Sequence, residues 1–365
     1  MSVVSRAAAR DYSQASEAVR KAVDLLGGAG RFASWGEEVI IKANMLSAHA
    51  PEDAVTTHPA VVEALIELAM EAGARPVVAD SPGIGSAARV AKKCGILEVC
   101  QRHGVELRDL GTGGVSVLHG KTFRNIELSR EVVEGKRIWN AAKWKTHAMT
   151  GMTLGVKNLY GCVPGATKVV SHFRAGRDRE AFAALLVDIY QLIKPSLTVL
   201  DGITAMEGPG PSQGTPIHRG LILASSDAHA LDWEAVRLSS FSPDAVPTIA
   251  VALANGLFDP DSLEVLGDEA KVMKFKGAPG SHVSFGILPA PVKKFLKKVI
   301  TPAPKFDKRL CNGCGTCSAA CPSKAITNGT PARVKEPLCI RCYCCQELCP
   351  RGAVWIPKLF GRRGS

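Results

Sequence analysis

Hydrophobic and polar residues along the first 240 positions follow a pattern that predicts helices and strands in turn. Apolar residues recur every three to four positions at 15–26, 59–72, 178–192 and 227–238, which predicts helices there. Short apolar runs predict strands at 38–42, 76–80, 105–108, 137–140, 197–201 and 220–224. Because the two element types alternate, we expect an α/β fold with a mixed or mainly parallel sheet flanked by helices.

The character of the sequence changes near residue 287. From Ile287 onward there are 15 Lys and Arg residues against 3 Asp and Glu, so the net charge of +11 originates in this part. Nine of the 12 cysteines lie between Cys311 and Cys349. A length of 365 residues is also enough for two domains. We predict an α/β domain at 1–287, a basic amphipathic linker at 288–304, a small α+β domain at 305–358 and a basic tail at 359–365.

Within the linker, residues 291–300 place four lysines on one helical face and apolar side chains on the other. We expect this face to dock on the protein itself, and a peripheral membrane contact is the alternative. No uninterrupted apolar run approaches the ~18 residues of a transmembrane helix. Charged residues also occupy the N-terminal stretch that would be apolar in a signal peptide. These features predict a cytoplasmic protein.

The cysteines follow a duplicated spacing, Cys-x2-Cys-x2-Cys-x3-Cys-Pro, which begins at Cys311 and again at Cys339. In bacterial ferredoxins, three thiolates of such a run bind one cluster and the fourth binds the other. Zinc sites usually combine two Cys-x2-Cys knuckles, and disulfides do not persist in a reducing compartment. We therefore predict two [4Fe–4S] clusters, one held by Cys311, Cys314, Cys317 and Cys349 and the other by Cys339, Cys342, Cys345 and Cys321.

This cysteine-rich segment resembles bacterial two-cluster ferredoxin domains over about its whole length. Cys344 departs from the pattern, and we interpret it as a thiol that binds no cluster. The resemblance implies one-electron transfer, and the excess of basic residues from Ile287 onward could attract an acidic redox partner. This basic part could also attract nucleic acid, but the aromatic residues that stack on bases are sparse there, which argues against this alternative.

Polar motifs follow several predicted strands of the larger domain. Lys42 and Asn44 come at the end of one strand, and ligands of open α/β sheets bind at such carboxyl ends. Lysine is a compact charge suited to carboxylate or phosphate, and amides add directional hydrogen bonds. We therefore predict a pocket for an anionic small molecule. Its predicted binding residues are Lys42, Asn44, Lys145, Thr146, Lys157, Asn158 and Asp201.

His58, His147 and Glu207 are the predicted proton carriers of this pocket. An unperturbed imidazole titrates near neutrality, and the Gly/Pro-rich loop after Glu207 could bring its carboxylate to the ligand. His58 has an alternative role as the N-cap of the helix that Pro59 begins. Asp227 likewise lies where an N-cap belongs. No sequence motif indicates a flavin, although a flavin between clusters and substrate would be compatible with the chain.

Taken together, these motifs resemble the domain of unknown function 362 family over about residues 39–240. Members of that family often carry a two-cluster ferredoxin module at the C-terminus, so the resemblance implies this composition but no activity. The matching motifs are Lys42-x-Asn44, Thr57-His58-Pro59, Asp80, Lys145-Thr146-His147, Gly155-x-Lys157-Asn158, Asp201-Gly202, Glu207-Gly208-x-Gly210-Pro211 and Asp227-x4-Asp232.

We expect an iron–sulfur oxidoreductase that passes electrons through its clusters to or from an anionic small molecule in the larger domain. A fused electron relay makes delivery to that molecule intramolecular. The alternative is a non-catalytic electron-transfer or assembly protein whose α/β domain serves for docking or sensing.

Overall fold

The computed structural model describes residues 1–118, 123, 125–176, 178–279 and 301–357. Residues 291–300 and 359–365, for which the sequence predicts an amphipathic segment and a basic tail, lie outside the described residues. The described strands are β1 (Ser2–Ala8), β2 (Glu38–Lys42), β3 (Arg75–Asp80), β4 (Glu106–Asp109), β5 (Gly114–Leu118), β6 (Asn125–Ser129), β7 (Arg137–His147), β8 (Gly151–Thr153), β9 (Leu197–Glu207), β10 (Thr215–Ser225), β11 (Leu263–Gly267), β12 (Lys305–Phe306), β13 (Ile326–Thr327), β14 (Arg333–Val334) and β15 (Val354–Trp355). The helices are α1 (Ala15–Asp24), α2 (Pro59–Glu71), α3 (Ala87–Lys93), α4 (Ile96–Arg102), α5 (Arg130–Val133), α6 (Gly155–Asn158), α7 (Gly165–Ala175), α8 (Arg179–Ile193), α9 (Ala228–Leu238), α10 (Pro247–Ala254), α11 (Thr316–Ala319) and α12 (Cys344–Glu347).

A nine-stranded sheet organises the larger domain within the described residues, with the order β11-β1-β10-β9-β7-β2-β3-β4 and β8 paired to β7. Strands β2, β3, β4, β7 and β9 run parallel, whereas β10 and β8 run antiparallel to their neighbours. The predicted mixed, mainly parallel sheet flanked by helices is confirmed. Strands β3 and β4 follow β2 on one side of the sheet, whereas the later strands β7 and β9 lie on its other side. The order of strand addition therefore reverses at β2. The carboxyl ends of β2, β3 and β7 therefore lie side by side.

Helix α2 illustrates how the sequence determines a local element. Pro59 occupies its first turn, and the ring Nδ1 of His58 accepts a hydrogen bond from the Ala60 N–H at 3.2 Å. One face of α2, which includes Val61 and Leu65, is fully buried against the sheet. The structure therefore shows His58 in its alternative role, as the N-cap of α2.

Three strands are longer than predicted. The sequence predicts a strand at 137–140, whereas β7 continues to His147 through Lys143 and Lys145. Both lysines are at most 1% exposed, and their ammonium groups have hydrogen-bonding partners within the protein. Charged residues normally mark the end of a buried strand. The two lysines therefore led to a predicted strand that is too short. β9 and β10 likewise extend beyond the predicted 197–201 and 220–224.

The small cysteine-rich part pairs β12 with β15 and β13 with β14, each pair antiparallel. Its short helix α12 packs against the larger domain beside the loop that follows β9. Ser212 Oγ donates to Glu347 O at 2.7 Å, Gln213 Nε2 donates to Gln346 O at 2.7 Å, and Gln346 Nε2 donates to Pro209 O at 2.8 Å. The Gly/Pro-rich loop therefore holds the small domain in place.

Candidate functional site

A cavity of about 110 Å³ lies at the carboxyl ends of β2, β3 and β7. Five of the seven predicted binding residues line it, namely Lys42, Asn44, Lys145, Lys157 and Asn158. Helix α7 and the small domain complete the wall. Further lining residues are Asp80, Thr153, Lys168, His172, Cys344, Glu347 and Leu348.

Lys42 and Asp80 form a buried ion pair at the floor of this cavity, with 2.8 Å between Nζ and Oδ1. The carboxylate of Asp80 also accepts the N–H groups of Met45 at 2.6 Å and Ser81 at 2.8 Å. A Cβ atom on Gly161 would lie 2.1 Å from Asp80 Oδ1 and 2.5 Å from Lys42 Nζ. Gly161 is therefore required for the backbone to pass over the pair.

Lys145 belongs to a network of amides that fixes its position. Its Nζ donates to Asn44 Oδ1 at 3.0 Å and to Val55 O. Asn44 Nδ2 donates to Asn158 Oδ1 at 2.8 Å, and Asn158 Nδ2 donates to Asn140 Oδ1 at 2.8 Å. Burial, followed by the charge of Lys157, lowers the pKa of Lys145 to about 7. A negative charge in the cavity would offset both effects.

Lys157 lies on the short helix α6. Both carboxylate oxygens of Asp232 accept backbone N–H groups at the start of α6, from Gly155 at 2.7 Å and from Val156 at 3.1 Å. The Lys157 Nζ lies 6.0 Å from the centroid of the Tyr160 ring, and no side chain or carbonyl in the described parts of the chain accepts a hydrogen bond from it. Burial lowers the pKa of Lys157. Its ammonium group is therefore available to a ligand.

His147 and Glu347 connect the two domains beside the cavity, with 3.5 Å between Nε2 and Oε2. His147 Nδ1 accepts the N–H groups of Met149 at 3.0 Å and Thr150 at 3.3 Å, so the neutral ring carries its proton on Nε2. Burial lowers the pKa of His147 to about 4. Burial alone would raise the pKa of Glu347, but His147 and the charge of Lys157 lower it below its usual range. A neutral imidazole therefore faces a carboxylate.

Lys168, His172 and Glu347 are site residues that the sequence analysis missed. Lys168 donates to the backbone carbonyl and to Oγ of Ser81, the latter at 2.8 Å, and burial lowers its pKa to about 8. His172 stacks on Phe182 with 4.3 Å between ring centroids. Lys168 and His172 are four residues apart, which places them on one face of a helix. This spacing was the available signal, but helix α7 was not among the predicted elements.

His58 and Asp201 lie apart from the cavity, in a second buried cluster. Asp201 forms an ion pair with Lys143 at 2.6 Å, and both side chains are fully buried. Asp201 also accepts the Tyr12 hydroxyl at 3.0 Å and the His58 N–H at 2.9 Å. The rings of Tyr12 and His58 stack with 3.4 Å between centroids. His58 and Asp201 therefore lie away from the five predicted residues that line the cavity. Lys143 and the start of α2 hold them in this second cluster.

Glu207 and Thr146 also point away from the cavity. Glu207 accepts the Lys276 N–H at 2.8 Å and lies 3.3 Å from Lys276 Nζ. Thr146 Oγ1 donates to Gly208 O at 2.9 Å. The Gly/Pro-rich loop is thus occupied in holding α12 and does not carry Glu207 to a ligand. Asp227 caps α9 by accepting the N–H groups of His229 and Ala230.

The cysteines surround two separate cavities. Ala332, Ala325 and Ala353 direct backbone N–H groups at the sulfurs of Cys311, Cys321 and Cys349, at 3.5, 3.2 and 3.3 Å. Four thiols with such N–H donors suit a [4Fe–4S] cluster. The first cavity is lined by Cys311, Cys314, Cys317 and Cys349, and the second by Cys321, Cys339, Cys342 and Cys345. These are the two groups that the spacing predicts.

Cys344 lines the second cysteine cavity and also the cavity that contains the lysines. Its neighbours in sequence, Cys342 and Cys345, belong to the second group of four. A cluster held by that group would lie next to the lysine cavity. Cys314, from the other group, is exposed to solvent.

Comparison with known proteins identifies both parts of the chain. The model of the domain of unknown function DUF362 matches residues 39–237, and that of a 4Fe-4S dicluster domain matches residues 303–350. A thylakoid-associated protein of Synechocystis sp. is 38% identical over 247 residues, which cover 68% of this chain and 76% of that protein. In the described residues, no helix has the length and apolar character needed to cross a membrane.

Two solved structures align with part of the chain. One is a crystal structure of a Thermotoga maritima protein, with 18% identity, a TM-score of 0.42, and coverage of 63% of this chain and 59% of that one. The other is the lactate racemase apoprotein of Thermoanaerobacterium thermosaccharolyticum, with 10% identity, a TM-score of 0.45, and coverage of 66% and 58%. The chain therefore spans less than two thirds of either solved protein.

Proposed function

Because this chain belongs to the DUF362 family and ends in an iron–sulfur dicluster domain, we propose that it is an oxidoreductase that passes electrons through two [4Fe–4S] clusters to or from an anionic small molecule. One observation carries the proposal. Helix α12 contributes Cys344 and Glu347 to the lysine cavity, while Cys345 of the same helix lines the second cysteine cavity. A ligand in the lysine cavity would thus be separated from the nearer cluster by little more than one side chain.

The two clusters have different tasks in this proposal. Cys321, Cys339, Cys342 and Cys345 would hold the cluster beside the lysine cavity, which would supply electron exchange with the ligand. Cys311, Cys314, Cys317 and Cys349 would hold the other cluster, which would supply electron exchange with an acidic redox partner near exposed Cys314. Hydrogen bonds with Thr316, and to a smaller extent the charge of Arg351, lower the pKa of the Cys314 thiol, so a basic residue lies near this exposed group. Basic residues around an exposed cluster would increase the rate of encounter with such a partner.

The protein side chains bind and orient the ligand. Lys145, Lys157 and Lys168 supply positive charge, and the ion pair with Asp80 keeps Lys42 in place at the floor of the cavity. His147 holds a proton on Nε2 next to Glu347, and this pair is the proposed route for a proton. His58 and Glu207 have hydrogen-bonding partners elsewhere, so the proposal assigns them no proton transfer.

Electron exchange tests the proposal. The full-length protein, purified anaerobically and reduced with dithionite, is mixed with reducible small carboxylates such as fumarate, oxaloacetate and pyruvate, and reoxidation is followed by visible absorbance. We expect at least one to reoxidise the clusters, and Lys157→Met to slow this step about tenfold or more because a ligand charge loses its partner. The exposed variant Lys274→Met is the matched control and should leave the rate unchanged.

Two results would contradict the proposed oxidoreductase function. Reoxidation at equal rates in the wild type and Lys157→Met would show that the lysine cavity has no part in the reaction. Clusters that resist every carboxylate but are reoxidised by an acidic electron-transfer protein would favour the non-catalytic carrier.

We also propose a cytoplasmic location with reversible contact at an anionic membrane surface. The name of the thylakoid-associated relative supports such a contact, as does the run of lysines at 291–300. Charge attraction is screened by salt, so a high-salt wash should release the protein from isolated membranes. Retention on membranes after that wash, detected by immunoblot, would contradict this location.

A further inference from the structure

The lysine cavity contains more positive than negative charge. Among the described residues that line it, four lysines face two carboxylates. Lys42 and Asp80 neutralise each other at 2.8 Å. Among the side chains that line the cavity, Lys145, Lys157 and Lys168 then have Glu347 as their acidic neighbour, which leaves two positive charges in excess on these side chains when all three lysines are protonated. A [4Fe–4S] cluster held by four thiolates is itself negative, so the neighbouring cluster would offset part of this excess.

The pKa values of these lysines reflect their removal from water. Burial lowers the pKa of Lys145 to about 7 and that of Lys168 to about 8, and it also lowers the pKa of Lys157. Ammonium groups that are removed from water retain their protons when an anion lies close to them.

Two neutral polar atoms on the cavity wall also lack partners. Thr153 is 3% exposed and His172 is 7% exposed, and both line the cavity. In the described part of the chain, neither Thr153 Oγ1 nor His172 Nδ1 has a hydrogen-bonding partner. Buried hydroxyl and imidazole groups are nearly always hydrogen-bonded in folded proteins, so a ligand or a water molecule in the cavity would complete the hydrogen bonds of these two atoms.

We infer that the cavity binds a compact dianion, a small dicarboxylate or a phosphate monoester, and that Lys145, Lys157 and Lys168 with Thr153 and His172 form its binding site. This inference rests on the proposed function and narrows its substrate class. Three ammonium groups around one small cavity favour a doubly charged ligand over a singly charged one, and several ligand oxygens would complete the hydrogen bonds of Thr153 and His172. The volume of about 110 Å³ favours a small molecule, since drug-sized ligands occupy pockets of roughly 300–1,000 Å³.

Calorimetric titration of the oxidised full-length protein tests this inference, with succinate and inorganic phosphate as dianions and acetate as the monoanion. We expect at least one dianion to bind about tenfold or more tightly than acetate. Lys157→Met should weaken dianion binding about tenfold, and Thr153→Val, which keeps the side-chain shape, should weaken it several-fold. Lys274→Met should bind as the wild type does. Iron content checks that every variant is folded.

Equal affinity for acetate and both dianions would overturn the inference, as would dianion binding that is unchanged in both Lys157→Met and Thr153→Val. A preference for phosphate would identify a phosphate ester, and a preference for succinate would identify a dicarboxylate. Binding is measured without electron transfer, so a failed electron-exchange experiment with intact dianion binding would remove only the proposed oxidoreductase.

Discussion

Replacement of Cys345 by serine is expected to lower the iron content from about eight to about four atoms per chain and to abolish electron exchange with a ligand in the lysine cavity. Cys345 lines the second cysteine cavity, and it belongs to α12, which also forms a wall of the lysine cavity. Loss of a thiolate ligand removes the nearer cluster. Iron and sulfide quantitation, together with EPR spectra of the dithionite-reduced protein, measures both changes.

Two matched variants make this experiment specific. Cys314→Ser removes a ligand of the other group, so it should also leave about four irons but retain electron exchange when dithionite is the donor. Cys344→Ser changes the adjacent thiol, which the spacing excludes from the ligands, and should retain about eight irons. An unchanged iron content in Cys345→Ser, or a loss of iron in Cys344→Ser, would show that the ligand groups are assigned wrongly.

The cysteine-rich domain was the most predictable part of the chain because its information is local. Three ligands of each group lie within seven residues of each other, so their spacing alone indicates the type of cluster. In the repeated motif, the fourth cysteine of each run binds the cluster of the other run. In the structure, the four cysteines of each predicted group line one cavity.

The lysine cavity was predictable only in part. Lys42 could be identified because it ends β2 at the expected edge of the sheet, and Lys157 because it lies beside Asn158 in a short polar motif. Glu347 could not, because it lies 190 residues after Lys157 and reaches the cavity through the docking of α12. That docking depends on Ser212 and Gln213, whose role is not visible in a sequence motif. Contacts between distant segments are set by tertiary packing, which local patterns do not encode.

Glu207 and Asp201 are predicted site residues that the structure places outside the cavity. Both follow or end predicted strands beside glycine, as ligand-binding carboxylates often do. Strand β9 continues past Asp201, however, so this carboxylate lies inside the sheet and not at its edge. A buried lysine on the neighbouring strand then neutralises it. For Asp201, the length of β9 therefore explains why the carboxylate binds a side chain within the sheet.

Replacement of Asp201 by alanine is expected to lower the free energy of unfolding by about 3–5 kcal/mol and to leave dianion binding unchanged. The ion pair with Lys143 is 2.6 Å long, and both side chains are 0% exposed. Without Asp201 the ammonium group of Lys143 remains buried next to the Tyr12 hydroxyl and has no counter-charge. Anaerobic urea unfolding followed by the fluorescence of the buried Trp139 and Trp144 measures the change.

The controls for Asp201→Ala separate a structural carboxylate from one that binds a ligand. The double variant Lys143→Met with Asp201→Leu replaces the pair by apolar side chains and should recover most of the lost stability. Glu71→Ala breaks the half-exposed pair of Arg20 and Glu71 and should cost about 1 kcal/mol or less. If Asp201 bound the substrate, Asp201→Ala would instead abolish dianion binding while the free energy of unfolding changed little. The two assignments therefore predict opposite results for the same variant, and the burial of the pair favours the structural one.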